Sequence, residues 1–283
     1  MIRHEQRSLL IATAVCLVTL PVHDTIAAVL LPEDLLQVLG FLLAFFLGFR
    51  FSQAYNRWWE ARVLWGALVN QSRNWRDLVT RVVPSQLPLS VRQRLLQQVV
   101  LLMWCLNAEL RSADREAAVL TPPAQELALK LGFHKPSVQR LLQQMAQEQF
   151  KLHRADWVDT IESREFGRVQ QEITNALGGL ERIRHQPLPV SSTFFIRGLT
   201  WAYGYLVFLK LDALGPITAA LVGWLVFLTF LMAERIGTFL EHPFVDARFA
   251  LPMDRFCALI SLDLLGASDP LAQPSPTKGP WLR

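Results

Sequence analysis

Of 283 residues, 52% are apolar and only 18% are charged, and the mean hydropathy is +0.25. That balance lies between a soluble globule and a fully embedded transporter, so it calls for a protein with both lipid-facing and water-facing parts. A formal charge of +4 is too slight and too scattered to mark a nucleic-acid partner, and Cys16, Cys105 and Cys257 form neither a disulfide framework nor a CxxC metal pair.

The chain begins with a basic head and an apolar run over 9–22. This is how a secretory signal starts, but His23 and Asp24 stand where small residues would mark cleavage. The run therefore predicts a first membrane helix, extended to 31 to approach the ~20 residues that a span needs. Pro32, Glu33 and Asp34 then make a short turn, with Asp34 as N-cap of a second apolar segment over 35–51.

That second segment changes character along its length. Residues 38–49 carry no charge, whereas Arg50, Arg57, Glu60 and Arg62 follow among Trp58, Trp59 and Trp65. A soluble core helix keeps a polar stripe throughout; this one reads as a helix that leaves a membrane and enters water. At about 100° per residue, Phe41, Phe45 and Phe49 form a ridge, Ser52 and Asn56 continue it as a polar lining, and Glu60 lies at its margin. Beside the ridge, Gly40, Ala44 and Gly48 make a series of small residues, the kind that lets helices approach closely in lipid. Together they suggest a helix that packs against copies of itself and aims aromatic rings at a common axis. Contact of the same rings with lipid or neighbouring helices satisfies the spacing as well. Arg50 falls about 180° from the ridge and is expected to face protein, paired with Glu234 or Glu241.

Residues 67–190 read as water-soluble helices. The stretches 91–110 and 137–154 carry apolar residues at three- and four-residue spacing; Thr121, Pro122 and Pro123 break the segment between them, and Pro136 lies near the start of the second. A more polar helix is expected over 159–184, weakened by Gly178 and Gly179 at about 1 kcal/mol each relative to Ala. No two-residue alternation lasts, so the fold class is all-α.

Third and fourth apolar segments run over 194–211 and 217–233, turning at Gly215 and Pro216. Arg197, Glu234 and Arg235 are tolerable there only near an interface. Lys and Arg gather at Arg3 and Arg7, over 50–190 and from Arg235 onward, and are scarce in the two short turns. This bias places both termini and the middle of the chain in the cytoplasm of a multi-pass membrane protein. The expected division is 1–66 for helices one and two running into the cytosol, 67–190 for a cytosolic helical region and 191–240 for helices three and four. A cytosolic C-terminal segment over 241–267 and a disordered, proline-bearing tail over 268–283 complete it.

The six histidines are scattered without metal-ligand spacing, and no GxSxG, HExxH, P-loop or dinucleotide fingerprint occurs. Asp156 with Asp159, and Glu162 with Glu165, read as solvated helix faces. No catalytic, cofactor or metal site is expected, and the chain does not read as an enzyme.

The run FLGFRFSQAYNRWWEARVLWG at 46–66, with PLP at 187–189 and EHPFVDARFALPMDRFC at 241–257, resembles the bestrophin family in its bacterial branch, across about residues 3–262. The resemblance implies an ion channel: a homopentamer around one central pore, with four membrane helices and a large helical cytosolic part in each subunit. It puts the hydrophobic neck on Phe41, Phe45 and Phe49, bulkier than the Ile or Val that other members often carry. A second constriction belongs near the helix over 159–184, where Arg164 is the candidate. Animal members bind calcium through an acidic cluster; the matching stretch here holds Asp246 and Asp254 without an acidic run, so no calcium clasp is expected. The implied partners are further copies of the chain, membrane lipid and monovalent ions, cations before chloride on the bacterial branch alone. Two other readings stay open. One is a secondary transporter, which would show internal repeats and broken helices; the other is a membrane-anchored regulatory or scaffold protein.

Overall fold

The computed structural model describes residues 2–19, 33–83, 87–112, 118–186, 190–210, 216–244 and 250–273. Among them are nine α-helices and no strand, so the all-α expectation holds. In chain order these are α1 (Ile2–Thr19), α2 (Glu33–Asp77), α3 (Leu89–Arg111), α4 (Pro122–Lys130), α5 (Val138–Arg154), α6 (Thr160–His185), α7 (Val190–Lys210), α8 (Pro216–Leu240) and α9 (Met253–Leu265). The first span beyond 19, the turn at Pro32, the PLP stretch, Gly215, Asp246 and the tail from 274 lie outside the described residues. The chain divides into two compact units, Met1–Trp58 with Pro187–His242, and Trp59–Gln186 with Pro243–Arg283.

In the first unit, small residues set the packing. Gly204 on α7 lies against the Phe227 ring, and a Cβ on Gly223 of α8 would come 2.7 Å from the Phe208 Cα. These contacts pair early α8 with late α7, so the two helices run antiparallel. Ala12 and Cys16 of α1 join Phe208, Leu209, Phe227 and Leu231 in one core, and Trp224 Nε1–H donates to Thr13 Oγ1 at 3.1 Å. Close backbone approach and dispersion drive such packing where lipid removes the hydrophobic effect between helices.

Of the four expected spans, two helices among the described residues have the length and composition to cross a membrane, Leu36–Val82 and Leu221–Leu240, and Leu10–Thr19 is a shorter apolar helix. The α7 helix holds polar groups among its apolar residues, and one of them, buried Thr200, donates to the Ile196 carbonyl at 2.8 Å. Helix α2 begins at Glu33, which puts Asp34 inside its first turn rather than ahead of it. An acidic residue is favoured at either place by the helix dipole.

In the second unit, α3 is the central element, buried on every side from Gln98 to Asn107, as a helix that is apolar all round must be. Trp75 Nε1–H donates to the Leu95 carbonyl at 3.1 Å and its ring meets Phe166 edge-on at 5.2 Å. Trp104 Nε1–H donates to Ser261 Oγ at 3.1 Å, joining α3 to α9.

Three local readings change. Thr121, Pro122 and Pro123 do not merely break the chain; they open α4, where prolines in the first turn lose no hydrogen bond. Asp159 and Glu162 form a reciprocal cap on α6, Glu162 N–H donating to Asp159 Oδ1 at 2.7 Å and Asp159 N–H to Glu162 Oε2 at 2.9 Å. Within the expected tail, Pro270–Ala272 forms a 3-10 turn with Leu271 buried, and Asp269 Oδ1 accepts from Leu271 N–H at 2.9 Å. One buried leucine supplies the anchor that composition concealed.

Candidate functional site

Helix α2 has two opposed faces within the first unit. Leu43, Arg50 and Ala54 are buried, whereas Phe41, Phe45 and Phe49 are exposed by 73%, 52% and 55%. The helical period puts these sets about 180° apart. Phe45 and Phe49 meet edge-to-face, with ring centres 4.6 Å apart. The same exposed arc continues through Ser52 and Asn56, with Gln53 beside them. An aromatic ridge thus passes into a polar one on a single face of one helix.

The small residues beside the ridge divide in their roles. Gly40 lies under the side chain of Tyr203 on α7, so it serves packing within the subunit, while Ala44 and Gly48 are exposed and Gly48 has open space around it. On the other flank, Phe46 meets Phe195 edge-on at 5.7 Å.

Behind the ridge, the expected ion pairs form. Arg50 is 5% exposed, Glu234 2% and Glu241 5%. Arg50 Nη1 donates to Glu234 Oε1 at 3.5 Å, and Nη2 donates to Glu241 Oε2 at 3.3 Å and to Thr238 Oγ1 at 3.3 Å. Glu234 also accepts from Arg197 Nε and Nη2, each at 3.2 Å, and lies 3.8 Å from Arg235 Nε. Arg235 reaches Ser8 on α1. Arg57 Nε–H donates to the Glu241 carbonyl at 3.1 Å. Buried charge is tolerable only when paired and hydrogen-bonded like this. The roles of Thr238, Arg197 and Ser8 were missed in the sequence; the signal available was the i, i+4, i+7 spacing of Glu234, Thr238 and Glu241, at the end of α8 and the residue that follows it.

In the second unit, Arg164 is exposed on α6, one turn after the exposed apolar Ile161. Glu60, expected at the margin of the ridge, pairs with Arg182. Asp254 gives one oxygen to Asn107 Nδ2 at 2.7 Å and the other to Arg111 Nη2 at 2.9 Å, so both of its oxygens serve the packing of α9 on α3.

Comparison with known proteins agrees with this architecture. The family model described as Bacterial/Fungal Bestrophin protein matches residues 5–265. A voltage-dependent anion channel-forming protein of Mesorhizobium japonicum is 30% identical over 244 residues, 84% of this chain and 77% of that relative. One of the same name from Escherichia coli is 28% identical over 82% of this chain and 76% of its own length. The crystal structure of a bacterial bestrophin homologue from Klebsiella pneumoniae superimposes with a TM-score of 0.77 at 24% identity, covering 94% of this chain and 97% of that one. Fold and relatives together define the class: an all-helical protein of bestrophin architecture. Within that class, the chain belongs to the bacterial/fungal bestrophin family.

Proposed function

We propose that copies of this chain assemble as a homopentamer in the cell membrane, with four spans per subunit and both termini cytoplasmic. In it, Phe41, Phe45 and Phe49 ring a hydrophobic neck, and Ser52 and Asn56 line the pore below. The observation that supports this most is the exposed face of α2. The exposed arc runs unbroken from the rings into Ser52, Gln53 and Asn56, as the wall of an axis leading from the membrane into water would. A contiguous exposed apolar patch on one subunit also marks a contact or pore surface. Ala44 and Gly48 leave room for a neighbouring α2. In the cytosolic part, the first turn of α6, with Ile161 and Arg164, forms the second constriction.

A neck of phenylalanine rings offers nothing to replace a hydration shell, so ions cross it hydrated or not at all, and it gates by dewetting. Resemblance to the bacterial branch is the ground for reading the permeating ions as monovalent cations before chloride. A specific ground favours anions instead: the relatives above are named anion channel-forming proteins. Ring faces attract cations and ring edges attract anions, so orientation of the rings toward the axis decides.

Planar-bilayer recording tests both points. The sign of the reversal potential in asymmetric NaCl separates cation from anion. Combining Phe41→Ala, Phe45→Ala and Phe49→Ala is expected to raise the current and weaken gating; unchanged current places the neck elsewhere. Assembled protein in liposomes that passes no ions would favour a scaffold, and flux that saturates with substrate would favour a transporter.

A further inference from the structure

Arg50 follows Phe49 directly and enters the interior of the first unit on the opposite side of α2. Its guanidinium grips Glu234 in the last turns of α8 and Glu241 directly after the end of α8, with Thr238 between them. That pair spans about 10 Å of helix axis at 1.5 Å per residue. A planar fork bound at both ends resists sliding and rotation together, which a point charge cannot do. Glu234 in turn engages Arg197 of α7, and its neighbour Arg235 engages Ser8 of α1. Helices α1, α2, α7 and α8 thus converge on the anchor that holds the back of α2.

Rotation of α2 matters because of what flanks the ridge. Ala44 and Gly48 lie exposed on one side, and no atom approaches within 4 Å of a Cβ built on Gly48. A turn of about 60 to 100° toward that side would exchange large rings for a hydrogen and a methyl. On the other side, Phe46 is held against Phe195.

We infer that Arg50, gripped by Glu234 and Glu241, is the positioning residue that holds α2 at the rotation where the phenylalanines face the pore axis, and so sets how readily the neck opens. The inference rests on the neck reading above. Arg50→Lys keeps the charge but reaches one carboxylate at a time, and Glu241→Gln cuts one arm while leaving Glu234 in place, so a folding failure of the first variant leaves the second to read.

Each is recorded in bilayers alone and combined with the triple Phe→Ala variant, after gel filtration shows the wild-type assembly size. Either single change is expected to raise mean current at least about threefold, within the range of coupling between contacting residues, and to add nothing once the rings are gone. Wild-type current in both Arg50→Lys and Glu241→Gln overturns the inference while the neck stands. A rise of the same size with and without the rings overturns it too, because the anchor would then act elsewhere. A triple alanine variant with unchanged current removes the neck and the inference with it.

Discussion

Two cysteines show how burial sets chemistry. Cys105 on α3 and Cys257 on α9 lie in the core of the second unit, Cys257 Sγ–H donating to the Met103 carbonyl at 3.4 Å. Burial pushes both thiols up; Glu109 adds to this at Cys105, and Asp254 adds to it at Cys257 against a smaller opposing pull from Arg111. The folded protein therefore keeps both protonated while the unfolded chain ionises near the ordinary value of 9.0. By linkage, stability is fully present below that value and falls as pH rises above it. Soluble thiol reagents should leave both residues unmodified in folded protein and label them in urea. Melting curves taken between about pH 8 and 10 should fall less steeply for Cys105→Ala/Cys257→Ala than for the natural chain. Equal slopes would show that these thiols ionise within the fold.

At the scale of the element, adjacent glycines in α6 behave differently. A Cβ at Gly178 meets nothing within 4 Å, while one at Gly179 would lie 2.8 Å from Leu64 Cδ1. Helix propensity favours Ala over Gly by about 1 kcal/mol at both places. Gly178→Ala should therefore raise the melting temperature of detergent-solubilised protein, and Gly179→Ala should not, because Leu64 must move to make room. Equal gains would mean that the approach of Leu64 imposes no constraint. The same contrast marks what was legible in the sequence. The ridge of Phe41, Phe45 and Phe49, its polar continuation and the opposite placement of Arg50 all follow from one helical period, so local pattern sufficed. Helices α3, α5 and α6 were legible for that reason, and the Arg50 pairs from charge complementarity. Convergence on Glu234 and Arg235 was not legible, because Arg50 and Arg197 are brought to the first and Ser8 to the second from three other helices. Nor was α4, whose Thr-Pro-Pro start looks like a break until the helix after it is seen.

On the scale of the whole molecule, the neck exists only if subunits close around it. One copy of α2 offers a strip of three rings; a pore needs that strip repeated around a closed symmetric ring, since an open arrangement would leave the ridge facing lipid. Native mass spectrometry of mildly solubilised protein should give five copies of the 32.2 kDa chain. A monomer would leave Phe41, Phe45 and Phe49 as lipid contacts. Copy number does not show which face turns inward, and Asn56 does. Lying on the exposed arc below the ridge, it would border the axis in every subunit, so Asn56→Asp would place a ring of carboxylates in the path of the ions. Such a ring raises the local concentration of cations and repels anions, as acidic rings do in cation channels. Its reach is about 10 Å at 0.1 M salt and longer in dilute solution. The reversal potential in asymmetric NaCl should therefore shift toward the cation value, and shift further as both solutions are diluted at constant ratio. A carboxylate on the outside of the assembly would act on the bulk on one side only and would leave the reversal potential where it was. That result, from a protein still made of five chains, would mean that the subunits meet through another face and that the ridge of α2 is not the wall of the pore.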